Sequence, residues 1–188
     1  MPEHLGPRRF VFVLLDQFTM LCFSSAVEAL RIANRMSGRE LYSWTLAAEG
    51  GEVAWSSAGI GFRVDTDLPE ITRDDTVLVC GGIDVGAAST RRVIGWLRRE
   101  ARKGAVMGGL CTAGHTLARA GLLDGKRATI HWENQDSFAE AFEEVSLTKS
   151  VFVIDGNRIT TAGGTASIDL MLKIIAEDSG EDLANLVA

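Results

Sequence analysis

The chain has 188 residues, enough for one domain with a substantial core, and an ordinary globular make-up of 46% hydrophobic and 23% charged residues. Its formal net charge of −6 argues against nucleic-acid binding by this segment, because phosphate contacts need a basic face. No apolar run approaches the roughly 18 residues of a membrane span, and the opening "MPEHLGPRR" lacks an apolar signal region, so the expectation is a cytoplasmic protein with no membrane partner.

"RFVFVLL" (9–15) is a short apolar strand of the kind covered on both faces. "SSAVEALRIANRM" (24–36) reads as a helix with Ser24 or Ser25 as its cap and Ala26, Val27, Leu30 and Ala33 facing inward. "LYSWTLAAE" returns to strand, and "SSAGIGFRVDTDL" reads as a hairpin or edge excursion around Gly59 and Gly61. "DDTVLVCGG" is a buried strand ending in two glycines. "STRRVIGWLRREARKG" is a helix capped by Ser89 or Thr90 and closed by Gly104. "AVMGGL" is the next strand and Thr112–Ala120 the next helix. "KRATIHW" reads as a strand, and "NQDSFAEAFEEV" as a helix capped by Asn134. "SVFVIDGNRITTAGG" is a hairpin turning at Asp155-Gly156-Asn157, and "TASIDLMLKIIAEDSG" an amphipathic helix. The final "EDLANLVA" begins a helix, with Leu183, Leu186 and Val187 at helical spacing, and meets no stop signal; the expectation is one domain, 1–188, of a longer polypeptide. Strands and helices alternate throughout, which predicts an α/β fold, a three-layer sandwich with a mainly parallel sheet.

Ligands of such sheets bind outside the carboxyl ends of the strands, so the glycine pairs 81–82, 108–109 and 163–164 are expected to gather along one edge with Cys111. Cys111 stands between an apolar strand and a helix opening with small residues, the setting of a nucleophile elbow. A helix N-terminus would favour its thiolate, and the Thr112 amide with amides of the Gly81-Gly82-Ile83 loop would form an oxyanion-type nest. His131, at the end of the next predicted strand, reaches the same edge as a partner for the thiol. The three cysteines, Cys22, Cys80 and Cys111, are odd in number and far apart; they give no disulfide framework and no metal-ligand cluster, and no cofactor is expected.

The stretches "FTMLCFSSAVEALRIANRMSGRELYSW", "LVCGGIDV", "GLCTAGHTLARAGLLDGKRATIHWE" and "ITTAGGTASIDLMLKIIAED" carry a resemblance over nearly the whole chain. The chain looks like the class I glutamine amidotransferase-like superfamily in its PfpI branch. More closely, it resembles the amino-terminal domain of GlxA-type AraC-family transcriptional regulators. That resemblance implies an effector-sensing and dimerising half, a homodimer, and DNA contact only through a helix-turn-helix domain beyond residue 188. Catalytic PfpI-type members hold the elbow thiol with an acidic residue in the first helix region, and that position falls on Cys22 here. Cysteine supplies no carboxyl, and Glu28 lies nearly two turns further on. Cys111 and His131 thus read as a vestigial pair, and no catalytic residue is assigned. The alternative is a thiol-dependent PfpI-type hydrolase, hydratase or lyase using both.

His131, Trp132 and Glu133 are consecutive, and strand alternation would put His131 and Glu133 on one side. A ring beside a carboxylate suits a cationic ligand. Regulators with a similar "TIHWEN" stretch include sensors of arginine or of quaternary-ammonium compounds such as betaine and carnitine. The expected partner is a small zwitterionic or cationic metabolite, its carboxylate on the Gly82, Ile83 and Thr112 amides, its cation toward Trp132 and Glu133, with Phe18 as a further wall. His115, one turn after the cysteine, reads as core or as a residue behind the pocket rather than a ligand contact.

Overall fold

The computed structural model describes residues 6–188; Met1–Leu5, part of the opening stretch read above for a signal region, lie outside the described residues. Its centre is a six-stranded sheet built from β1 (Arg8–Leu14), β2 (Tyr42–Ala47), β5 (Thr76–Cys80), β6 (Val106–Leu110), β9 (Phe152–Asp155) and β10 (Arg158–Thr161), in the order β2-β1-β5-β6-β10-β9. All neighbours are parallel except β9, which closes the edge antiparallel to β10.

Period-two alternation sends the strand side chains into two cores. Phe10, Phe12, Leu14, Leu78 and Cys80 pack beneath α1 (Met20–Ser37), α6 (Ala166–Ser179) and α7 (Glu181–Val187). Val11, Val13, Val77 and Val79 pack against α3 (Arg91–Ala101), α4 (Gly114–Arg119) and α5 (Gln135–Ala141) on the other face. The sandwich has the three layers expected. The excursion after β2 is a separate two-stranded hairpin, β3 (Val53–Trp55) with β4 (Gly61–Arg63). No described helix is long and apolar enough to cross a membrane.

Several boundaries differ from the sequence reading, each for a local reason. The first helix begins at Met20 behind Thr19, so Ser24 and Ser25 are interior residues whose hydroxyls donate back to the Leu21 carbonyl. Thr90, not Ser89, caps α3, accepting from the Val93 amide; Ser89 instead ends a short helix, α2 (Val85–Ala88), capped by Asp84. The predicted strand "KRATIHW" shrinks to β7 (Arg127–Ala128), which pairs with β8 (Ser146–Leu147) apart from the main sheet. Beyond it the Thr129 backbone amide donates to a side chain, Thr160 Oγ1, while the Thr129 hydroxyl donates to the Ser150 carbonyl. The helix predicted over 134–145 spans only Gln135–Ala141, and Asn134 makes no side-chain cap.

Candidate functional site

The turn from β6 into α4 passes through a single 3-10 turn, Cys111–Ala113, and Cys111 sits in the left-handed region with φ +59°. An L-residue other than glycine, asparagine or aspartate rarely occupies that region, and the strain is what aims a side chain out of a tight strand-to-helix turn. Thr161, at the end of β10, accepts the Cys111 amide at 3.0 Å and pins the turn. Close packing permits it: a Cβ on Gly109 would lie 2.7 Å from the Ala113 carbonyl carbon, and one on Gly82 would collide with the Gln17 carbonyl oxygen.

The thiol is therefore displayed in backbone terms yet shielded, with Cys111 only 4% exposed. Its sulfur lies 3.8 Å from Thr19 Oγ1. Burial, followed by the neighbouring Cys22, pushes its pKa from 9.0 up to about 11; the Thr19 hydroxyl and Thr112 amide oppose the shift, and Glu133 adds to it. This corrects the expectation of a thiolate: at neutral pH the group is a protonated thiol, because desolvation outweighs the donors of the short helix. Cys22 occupies the place beside the sulfur and donates to the Thr19 carbonyl at 3.0 Å. Its own thiol is raised, first by Cys80 and then by burial. The three cysteines distant in sequence thus share one core, all free. Glu28 is held on the solvent face by Arg31 and brings no carboxylate to the thiol.

The remaining predicted residues divide. Thr112 joins the elbow to the β5 loop, its hydroxyl donating to the Gly82 carbonyl at 2.8 Å. The Ile83 amide is already committed to the Gln17 carbonyl, so it is no free donor of a nest, while its side chain is 76% exposed. The Gly82 amide has no acceptor among the described residues. Phe18 is fully buried against Phe23 and Phe62 and offers no wall to a ligand. Of the glycine pairs, 108–109 lie inside β6 as packing positions rather than on the rim. His131 heads a 3-10 turn, Trp132–Asn134, so strand alternation does not apply to it or to Glu133. Its Nδ1 faces its own neighbour, accepting from the Glu133 amide at 3.4 Å and lying 3.7 Å from Glu133 Oε2. No His131–Cys111 hydrogen bond forms among the described residues. Trp132 is 70% exposed, its ring 5.8 Å from that of His131. His115 packs edge-on against Phe142 in the other core, consistent with its reading as core.

Thr19 and Thr161 were missed by sequence reasoning. The only available signal was a hydroxyl residue at each junction, in "FTM" and "ITTAGG", which is common at element ends.

Residues 8–177 match the DJ-1/PfpI family. The chain is 42% identical over 188 residues to the HTH-type transcriptional regulator GbdR of Pseudomonas aeruginosa, covering all of this chain and 51% of that protein. It is 47% identical over 176 residues to the HTH-type transcriptional regulator CdhR of the same organism, covering 93% and 52%. It thus spans about half the length of these curated relatives. An AraC family transcriptional regulator from Pseudomonas putida has a similar structure, with a TM-score of 0.85 at 27% identity, over 96% of this chain and 97% of that one. With an elbow cysteine on a parallel α/β sheet and a match over almost its whole length, this chain belongs to the DJ-1/PfpI family.

Proposed function

We propose that the chain is the effector-sensing and dimerising half of an AraC-family transcriptional regulator, with DNA contact made by a helix-turn-helix domain beyond residue 188. In this reading the elbow edge takes a small amino-acid-like or quaternary-ammonium metabolite and does not turn it over. The observation that carries it is the state of Cys111: a strained elbow retained around a thiol pushed up to about 11, with Cys22 in place of a carboxyl. Such a group is a poor nucleophile at neutral pH. The regulators GbdR and CdhR, each matched over half its length, support the role.

The effector's carboxylate is proposed to sit on the Gly82 and Thr112 amides, with its cationic end toward Trp132 and Glu133. Ile83 contributes an exposed apolar side chain rather than an amide, and His131 orients Glu133. Calorimetry against arginine, betaine and carnitine tests the site through three variants. Cys111→Ser should leave binding within a few-fold, because the backbone donors remain. Glu133→Gln should cost under about 1 kcal/mol, since its side chain is 65% exposed. Trp132→Ala should weaken binding at least as much. Loss of binding in Cys111→Ser with indifference at Glu133 and Trp132 sinks the site.

A second reading, a thiol-dependent hydrolase, hydratase or lyase using Cys111 and His131, draws on the positive φ of Cys111. Turnover of a carbonyl-type substrate that disappears in Cys111→Ala would establish it.

A further inference from the structure

A cavity of about 520 Å³ opens at the carboxyl ends of β1 and β2, and no elbow residue lines it. The buried run Val13, Leu14 and Leu15 lies behind it. The β3–β4 hairpin supplies one wall through Trp55, and the loop after β5 and the start of α3 supply the other through Asp84 and Thr90. That volume lies within the range of small-molecule pockets, roughly 300–1,000 Å³.

Its place in the topology is specific. β1 lies between β2 and β5, so the chain leaves β1 to one side for β2 and then crosses to the other for β5. In open α/β sheets, the crevice outside the strand ends at such a reversal is where ligands bind. The cavity occupies that crevice.

The lining has one sign of charge. Asp16, Glu49 and Asp84 are the ionisable residues in it, and no lysine, arginine or histidine lines it. None of the three carboxylates forms an ion pair among the described residues. Glu49 is oriented by the Thr90 hydroxyl at 2.7 Å, and Asp84 accepts the Ala87 amide at 3.2 Å. Trp55, large and apolar, is nevertheless 52% exposed at this mouth. Among the described residues no group of acidic, cysteine or histidine side chains converges closely enough to hold a metal ion. Spread carboxylates, a half-exposed indole and apolar lining residues suit a larger, softer charge.

We propose that this cavity binds a small organic cation, an ammonium or guanidinium with an apolar body: the charge lies over the Trp55 ring between Asp16 and Glu49, and the body rests against Val53, an exposed apolar residue of the lining. The proposal rests on the sensing reading only for its biological use: the cavity is a second cation site, separate from the one proposed at Trp132 and Glu133.

Choline and its uncharged isostere 3,3-dimethylbutan-1-ol test it by thermal shift and calorimetry on the 188-residue chain. Choline should bind saturably, and the isostere should fail at the same concentration. Trp55→Ala and Asp16→Asn should each weaken choline at least about fivefold, as a partly desolvated cation–π or charge contact requires. Both positions are exposed, and unchanged melting of the unliganded variants shows that they fold. Trp132→Ala and Cys111→Ser should leave choline binding intact. Equal action of choline and isostere, or choline binding unchanged in Trp55→Ala and Asp16→Asn, overturns the proposal. Loss in Trp132→Ala instead also overturns it and moves the cation to the elbow. Choline binding at Trp55 without any effect on DNA occupancy by a longer regulator carrying this domain supports the cavity while counting against the sensing reading.

Discussion

Cys111 Sγ lies 3.8 Å from Thr19 Oγ1, joining the strained elbow to the residue that precedes α1. This contact and the Thr112 amide favour the thiolate, yet burial prevails and the pKa rises to about 11. The thiol is more basic in the folded chain than in the unfolded one. Its protonated form therefore contributes stability that is complete below pH 9 and is lost as pH rises through about 11. Alkylation of Cys111 by iodoacetamide should be slow at pH 7 and accelerate steeply above pH 10. Thr19→Val should raise the pKa further and slow the reaction at every pH below it. A Cys111 that alkylates rapidly at pH 7 in the folded chain would contradict this account.

Gly82 is a position where backbone meets backbone. A Cβ there would occupy the place of the Gln17 carbonyl oxygen, which also accepts the Ile83 amide. Gly82→Ala should destabilise the chain by about 3 kcal/mol or more, because the clash is with backbone and cannot relax by a side-chain rotation. Gly86→Ala, where a Cβ meets nothing closer than Asp84 Oδ1 at 3.9 Å, should melt close to the parent. Paired urea titrations compare the two.

Glu100 is a fully buried carboxylate on α3 that accepts from Lys103 Nζ, Arg99 Nε and the Ile71 amide at 2.6, 2.8 and 3.0 Å. Burial works to raise its pKa, but those three partners together hold it below the ordinary 4.5. A depressed carboxylate stabilises the fold above its unfolded pKa, and that stabilisation is lost as pH falls through the folded value. Glu100→Gln should cost about 2 kcal/mol at pH 7, with the difference shrinking toward pH 3. Denaturant titrations of both chains at the two pH values would read it; a constant difference would remove the charge from the explanation.

The proposed dimer predicts light scattering at twice the 20.2 kDa chain mass at ~10 μM and above, the range in which mass action would hold a moderate homodimer together. Leu21 on α1 and Ile168 on α6 expose large apolar side chains on the same outer layer. Leu21→Glu should dissociate a dimer built on that face. A clean monomer in the parent chain at those concentrations would end the proposal.

Local chemistry made much of this protein legible in its sequence. Hydrophobic runs bounded by turn residues mark β1, β5 and β6, because the part of a strand covered on both faces must be apolar at nearly every position. The glycine and small-residue frame around Cys111 announces an elbow, because few other sequences tolerate that turn. Three further properties were decided only by tertiary contact. The Thr160 hydroxyl takes the Thr129 amide that would have continued β7, so His131 leaves the strand, and propensity alone could not foresee a partner about 30 residues away. The ionisation of Cys111 depends on Cys22, Thr19 and the depth of the core, since a pKa follows from what surrounds a group and not from its neighbours in the chain. The cavity at Trp55 exists because the sheet order reverses at β1, bringing Asp16, Glu49 and Asp84 around one opening. No sequence pattern joins those residues, because the order of strands in a sheet is a property of packing.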